Sequence, residues 1–294
     1  MSIVEFQRRF ADEQACLEYL AASRWPQGFT CPACGGRKAW VLARRHLREC
    51  AAGGRQTSGT VLDHTHTPLT LWFWAAYLAA THTPGISAVQ LQRQLGIRRY
   101  ETAWYLRHKL RRAMIAPERG LLTGEVEADE AFAGGRNPAR RGGRDRTGTV
   151  LAAVAAEVRG TGSGRVRRQA LPSADRPTLP GFAPATIAPA AVVHTGGWSG
   201  YGYLAGAGYD HRPVNQHYRL PGRTLILPRA HRAIPGLKTW IAGTHHGTSA
   251  KHLQAYLDEF TFRHNRRHTP MAAFQTLLGL GTLHGPSTYR HITT

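Results

Sequence analysis

Three cysteines form the clearest chemical pattern in the chain. Cys31 and Cys34 lie in FTCPACGG, and fifteen residues separate Cys34 from Cys50 in the segment RECAAGG. This is the spacing of a zinc ribbon, in which a second Cys-x-x-Cys would place the fourth zinc ligand at position 53. Position 53 is Gly53. The pattern therefore predicts a ribbon that supplies zinc with three thiolates and has lost a ligand at Gly53.

The fourth zinc ligand has three alternatives in the sequence: water, His46 or the distant Cys16. Cys16 lies in the helical pattern ADEQACLEYLAASRW, where a cysteine is more often a small buried apolar residue. For Cys31, Cys34 and Cys50 the alternative to zinc binding is likewise a role as small buried apolar residues. Four cysteines in 294 residues do not indicate a secreted disulfide framework.

The charge of the chain indicates a polyanionic partner. The formal net charge is +20, with 16 histidines in addition, which favours nucleic acid. An acidic membrane surface is the weaker alternative, because no apolar run is long enough to span a bilayer and the N-terminal residues include Glu5, Asp12 and Glu13. The sequence predicts a soluble, cytoplasmic protein without a membrane partner, associated with the nucleoid.

Residues 63–120 are predicted to form a helical DNA-binding segment. Residues 71–80 are apolar on every face, as in a buried helix, and residues 86–114 read as two helices separated at Gly96. This is the helix-turn-helix plan, in which the second helix contacts DNA. The basic residues predicted to contact DNA there are Arg98, Arg99, Arg107, Lys109, Arg111 and Arg112. The alternative is a solvated basic face on a helix hairpin.

From residue 124 the pattern changes to strands. Three strand-like segments precede an alternation of helix and strand, in the order β-β-β-α-β-α-β-α of the RNase H-like fold. A loop between the first two strands carries Arg140 and Arg141, predicted to track DNA phosphates. The predicted class is mixed α+β, with a helix and zinc ribbon over 1–62, the helical segment over 63–120, an RNase H-like sheet with flanking helices over 121–284, and a tail over 285–294.

The motifs GEVEADEAFAGG, GWSGY, LKTWIAGTHHG and KHLQAYLDEFTFRHNRR occur in this order and resemble the zinc-ribbon transposases of bacterial insertion sequences, of the ISXO type. The resemblance implies an enzyme that binds the terminal inverted repeats and target DNA as double strands, and that cuts and joins them. It also implies structural Zn²⁺, two catalytic Mg²⁺ or Mn²⁺ ions held by acidic residues, and a homo-oligomer on paired ends.

By this resemblance, Asp129 in EADEAF corresponds to the first catalytic aspartate and divalent-cation ligand. The second should follow the strand AVVHT, where the chain has Gly196, and the third position falls on His231. Strand alternation puts Glu127 on the face of Asp129 and Glu130 on the other face. Other candidates are weaker: His194 is a poor Mg²⁺ ligand, and Asp258 and Glu259 lie in the last amphipathic helix, as surface acids or arginine partners.

Three departures from the family pattern indicate impaired strand transfer. They are Gly53 in the ribbon, Gly196 in the core, and a helix interrupted by Pro180, Gly181 and Pro184. The first alternative function is a catalytically dead protein that binds DNA ends. The second is a zinc-ribbon transcription regulator without nuclease ancestry, in which the strand and helix motifs would have no role.

Overall fold

The computed structural model describes residues 1–42, 47–116, 118–133, 150–171, 181–214 and 227–293. They divide into two compact units, one formed by residues 1–118 with 266–294 and the other by residues 119–265. These boundaries differ from those expected from sequence. Residues 1–62 and 63–120 belong to one unit instead of two, and residues 266–284 leave the predicted RNase H-like domain to join them.

The first unit consists of helices around a small two-stranded ribbon. Its helices begin at residues with strong local signals: Ser2 forms a capping box with Glu5, Asp12 accepts from the Ala15 N–H, and Ser87 caps in the same way. The helices are α1 (Ile3–Arg9), α2 (Glu13–Arg24), α3 (Leu69–Thr81), α4 (Ala88–Gln94), α5 (Tyr100–Ala113), α9 (Pro270–Leu283) and α10 (Tyr289–Thr293). The strands β1 (Trp40–Leu42) and β2 (Leu47–Glu49) pair antiparallel.

The core of the first unit surrounds α3, which is apolar on every side as the sequence predicted. α9 packs against it, and the ring of Phe274 lies 5.4 Å from that of Phe6, 5.7 Å from that of Phe10 and 5.8 Å from that of Tyr77. Phe274 has no solvent exposure. The C-terminal segment therefore completes the hydrophobic core of the N-terminal helices.

The second unit is a five-stranded mixed sheet with flanking helices. Its strands are β3 (Glu125–Ala133), β4 (Val150–Arg159), β5 (Gly162–Leu171), β6 (Val192–Thr195) and β7 (Asp210–Pro213), in the spatial order β5-β4-β3-β6-β7. The first three pair antiparallel, whereas β6 and β7 run parallel to β3. This is the predicted RNase H-like architecture, and it makes β3 the central strand.

The helices of the second unit cover both faces of its sheet. They are α6 (Phe182–Thr186), a 3₁₀ helix (Ser199–Ala207), α7 (Pro228–Trp240), a π-helical turn (Ile241–His245), a short 3₁₀ turn (Ala250–His252) and α8 (Leu253–Asn265). In the predicted alternation of helix and strand, the helix after β6 is the 3₁₀ helix Ser199–Ala207. The interrupted helix keeps only the five residues of α6 among those described, with Pro184 inside it, and Pro180 lies outside the described residues.

Alternation along β3 separates two environments. Val126 and Ala128 face a core that includes Phe182 and Tyr201. Helices α7 and α8 cover the opposite face, which carries Asp129, and they pack there against apolar residues of β4 such as Val154. The outer edge of β5 is closed by α8, because Asn265 donates to and accepts from the backbone of Val166.

Candidate active site and ribbon

Asp129 and His231 meet at the centre of the sheet. Asp129 Oδ2 lies 3.2 Å from His231 Nε2, and their side chains are 16% and 25% exposed. The two residues come from β3 and from the first turn of α7, 102 positions apart in sequence. The count that placed His231 at the third position of the family pattern thus put it beside Asp129.

Glu127 determines where α7 begins. The helix starts with Pro228 and has no capping side chain of its own, since Leu227 occupies the N-cap. The Glu127 carboxylate instead accepts from the N–H groups of Arg229 at 2.6 Å and Ala230 at 3.0 Å, and pairs with the Arg229 guanidinium at 3.0 Å. A buried carboxylate on the strand therefore caps the helix that carries His231.

Replacing Glu127 by alanine is expected to destabilise the second unit by about 2–3 kcal/mol, because it leaves two helix N–H groups without their acceptor and removes the buried partner of the half-buried Arg229 guanidinium. Hydrogen exchange measured over α7 would show the loss as faster exchange. Glu125→Ala is the matched control, since Glu125 is 55% exposed and pairs with His194 at 3.1 Å. Equal effects of the two substitutions would contradict this role of Glu127.

Burial changes the ionisation of the acids on β3. Burial raises the pKa of Asp129, and the Glu130 N–H and His231 oppose this by stabilising the carboxylate. Glu130 lies on the other face, as predicted, and accepts a hydrogen bond from the Tyr201 hydroxyl at 2.8 Å. Burial raises the pKa of Glu130 as well, against the effect of that hydrogen bond.

Gly196 follows β6 at the level of Asp129. The parallel register pairs Glu127 with His194 and Ala128 with Thr195 and ends there, so Asp129 and Gly196 are the residues that directly follow the last pair on the two strands. An extended backbone through position 196 would place a side chain there on the face of His194, which is the face of Asp129. The position expected to carry the second carboxylate therefore directly follows the strand paired with that of Asp129, and it has no side chain.

The acids near Asp129 do not complete a site for two divalent cations. Glu127 is occupied by Arg229, and Gly196 offers no ligand. Within the described residues, Cys31, Cys34 and Cys50 make up the one group of three or more His, Cys, Asp or Glu ligand atoms close enough to share an ion. Neither acid of α8 replaces the missing ligand: Glu259 is fully buried, and Asp258 is buried with Arg119 Nη1 at 3.7 Å. Of the two alternatives for these acids, a surface position is therefore wrong for both, whereas an arginine partner is confirmed for Asp258.

The ribbon cysteines do converge. Cys50 Sγ lies 2.9 Å from Cys31 Sγ and 3.9 Å from Cys34 Sγ. A hydrogen bond from Cys50 lowers the pKa of Cys31 to about 7, which favours the thiolate that a metal requires. Cys16 is not part of this cluster: it is buried in α2, and burial raises the pKa of its thiol to about 12. His46 lies outside the described residues.

The basic residues of α5 and of the turn before it divide into a buried group and an exposed group. Arg107, Lys109 and Arg111 are only 0%, 4% and 1% exposed, and Lys109 Nζ lies over the rings of Trp72 and Tyr105. Their assignment as DNA contacts is therefore wrong for this structure, because a buried cation cannot reach a phosphate.

The exposed group consists of Arg98, Arg99 and Arg112. The first two precede α5, and the third lies in its last turn. Arg140 and Arg141 lie outside the described residues.

Comparison with known families decides the assignment. The family described as "ISXO2-like transposase domain" matches residues 121–265, which are the whole second unit but for its first two residues, and the "Transposase zinc-ribbon domain" matches residues 11–56. The chain belongs to the ISXO-type family of insertion-sequence transposases. Its class as an enzyme follows from this membership, and the ribbon match contains all three clustered cysteines.

A curated relative supports the transposase family. It is described as "Uncharacterized protein in transposable element ISH50", from Halobacterium salinarum, and is 29% identical over 131 residues. The match covers 42% of this chain and 43% of the relative, so it extends over less than half of either protein. No solved structure matches the chain. Among the described residues, no helix is long and apolar enough to cross a membrane.

Proposed function

We propose that this transposase binds the double-stranded ends of its insertion sequence, and that its cleavage and strand transfer are impaired because position 196 has no carboxylate. The observation that carries the proposal is the pairing of Asp129 with His231, together with a glycine directly after the strand β6 that pairs with β3. Two divalent cations, when bound in a family member, would activate the attacking hydroxyl and stabilise the leaving oxygen. Asp129 supplies one ligand for this chemistry, and the described residues around it do not supply the rest.

Basic side chains near Asp129 and Glu127 offset the negative charge of these carboxylates without a metal cation. His231 lies against the Asp129 carboxylate, and Arg229 neutralises Glu127. The unfavourable burial of negative charge, which a metal offsets in a two-cation site, is here reduced by the protein's own basic side chains. This arrangement favours the second candidate, a catalytically inactive protein that occupies DNA ends and competes with active copies.

The surface proposed to contact DNA is the turn between α4 and α5. Gly96 reverses the chain there with φ 62°, and Gln92 Nε2 donates to the Arg98 carbonyl at 3.4 Å. Arg98 and Arg99 are exposed beside it at the start of the second helix, together with Arg93 at the end of the first. In a helix-turn-helix the start of the second helix lies in the major groove, and exposed arginines there are close to the phosphates that flank the groove.

The double substitution Arg98→Ala/Arg99→Ala is expected to weaken binding to a duplex of the element end by roughly 10–100-fold at low salt. It should also reduce the slope of log affinity against log salt by about 2, because two phosphate contacts are lost. Fluorescence anisotropy across a salt series measures both quantities.

Arg8→Ala/Lys238→Ala is the control, since it removes the same charge from two exposed positions on α1 and α7. The proposed surface is wrong if the control weakens binding as much as the double substitution in the turn. Assembly as a homo-oligomer on paired ends and a cytoplasmic location are parts of the proposal taken from the family.

A further inference from the structure

The first knuckle of the ribbon has a regular set of hydrogen bonds. The Ala33 N–H donates to Cys31 Sγ at 3.3 Å. Gly35, with φ 70°, donates its N–H to the Cys31 carbonyl at 2.9 Å, and the Gly36 carbonyl accepts from the Cys31 N–H at 2.9 Å. Cys34 lies between Ala33 and Gly35 and directs its sulfur into the cluster.

The second knuckle repeats every one of these bonds with one residue fewer. The Ala52 N–H donates to Cys50 Sγ at 3.3 Å. Gly53, with φ 74°, donates to the Cys50 carbonyl at 2.9 Å, and the Gly54 carbonyl accepts from the Cys50 N–H at 3.1 Å. Gly53 and Gly54 thus correspond to Gly35 and Gly36, and no residue corresponds to Cys34.

Position 53 itself does not face the sulfur atoms. A Cβ built on Gly53 would meet no atom within 4 Å, and a positive φ is strained for any residue with a Cβ. A Cβ on Gly54 would instead collide with Cys31 Sγ. The prediction that the lost ligand belongs at Gly53 is therefore wrong, since the Cβ of a cysteine at position 53 would not point toward the sulfur atoms of the cluster.

We propose that the ribbon lost its fourth ligand by deletion of one residue between Ala52 and Gly53. The shortened knuckle leaves a zinc site of three thiolates, Cys31, Cys34 and Cys50, whose fourth position is taken by an exchangeable ligand from solvent. Three protein ligands and one exchangeable position are the ligand count of open zinc sites, whereas structural ribbons are closed by four. The inference concerns the ribbon alone and does not depend on DNA binding or on the site at Asp129.

The test is zinc affinity of the full chain, measured by competition with a chromophoric chelator, in four variants. A cysteine inserted between Ala52 and Gly53 is expected to raise the affinity roughly 100-fold, because the fourth thiolate closes the site. A serine inserted at the same place keeps the length without the thiolate and should bind zinc as the natural chain does. Gly53→Cys and His46→Ala should both leave the affinity unchanged. With Co²⁺ in place of zinc, only the cysteine insertion should increase the sulfur-to-metal charge-transfer absorption.

Each other outcome overturns the inference. A gain with Gly53→Cys would show that position 53 reaches the cluster. A loss with His46→Ala would identify that histidine as the fourth ligand and remove the exchangeable position. If the serine insertion binds zinc normally and the cysteine insertion brings no gain, or if the serine insertion itself weakens binding, the longer knuckle does not fit this ribbon. DNA affinity measured on the same samples separates these results from a failure of the proposed function.

Discussion

Gly196→Asp is expected to raise the rate of Mn²⁺-dependent cleavage of an element-end duplex by about 100-fold or more, because it places a second carboxylate beside Asp129. The backbone should accept an aspartate at position 196, because Gly196 is not among the described glycines with a positive φ. The neighbouring Gly197, in contrast, has φ 77°. A denaturing gel of end-labelled duplex, with Mg²⁺ and Mn²⁺ in parallel, measures cleavage and joining.

Two variants show whether the gain comes from a metal ligand. Gly196→Asn has the same shape as the aspartate without its charge and should not increase the rate. Adding Asp129→Asn to Gly196→Asp should abolish the gain, because both carboxylates are needed to hold the cations. Equal cleavage by the natural chain and by Gly196→Asp would show that another residue supplies the missing ligand, and cleavage by neither would favour the DNA-end-binding candidate.

Phe274→Ala is expected to destabilise the first unit by about 4 kcal/mol, the cost of removing a large buried ring together with the cavity that it leaves. Phe274 is fully buried and contacts rings of α1 and α3, so the substitution should speed hydrogen exchange in both helices. A truncation after residue 265 should have a still larger effect, since it removes all of α9.

The second unit provides the internal control for this prediction. Exchange in β3 and β4, measured in the same sample, should be unaffected, because residues 119–265 form a unit of their own. Phe274→Leu should cost only about 1 kcal/mol, since it keeps most of the apolar volume. Unchanged exchange in α3 after Phe274→Ala, or an equal increase in both units, would contradict the assignment of the C-terminal segment to the first core.

The sequence was sufficient for features that depend on local periodicity and on chain order. Alternation in GEVEADEAFAGG predicted that Asp129 and Glu130 lie on opposite faces of one strand. The order of the strands predicted the RNase H-like sheet. A residue count along the family pattern assigned His231 to the third site position, which stays a prediction, and the structure places that side chain 3.2 Å from Asp129. In these cases a residue's neighbours in sequence, or a regular topology, determine its position.

The tertiary structure decided what depends on contacts between distant segments. Sequence shows that α5 is basic, but the packing of α3 against it decides that Lys109 lies over Trp72 and away from solvent. The sequence likewise shows that Glu127 is acidic, but only the packing of α7 next to β3 makes that carboxylate a helix cap.

The ribbon is the clearest case of this difference. Its cysteine spacing predicted that the three cysteines cluster, whereas the proposal of a residue missing from the second knuckle rests on the backbone hydrogen bonds. The count from Cys50 that placed the fourth zinc ligand at position 53 assumes that both knuckles have equal length. The proposed deletion of one residue makes the second knuckle shorter. The count cannot detect this, because Cys50, from which it starts, is unchanged. Side-chain direction in a turn is determined by φ and by the hydrogen bonds that close it, and these exist only in the folded chain.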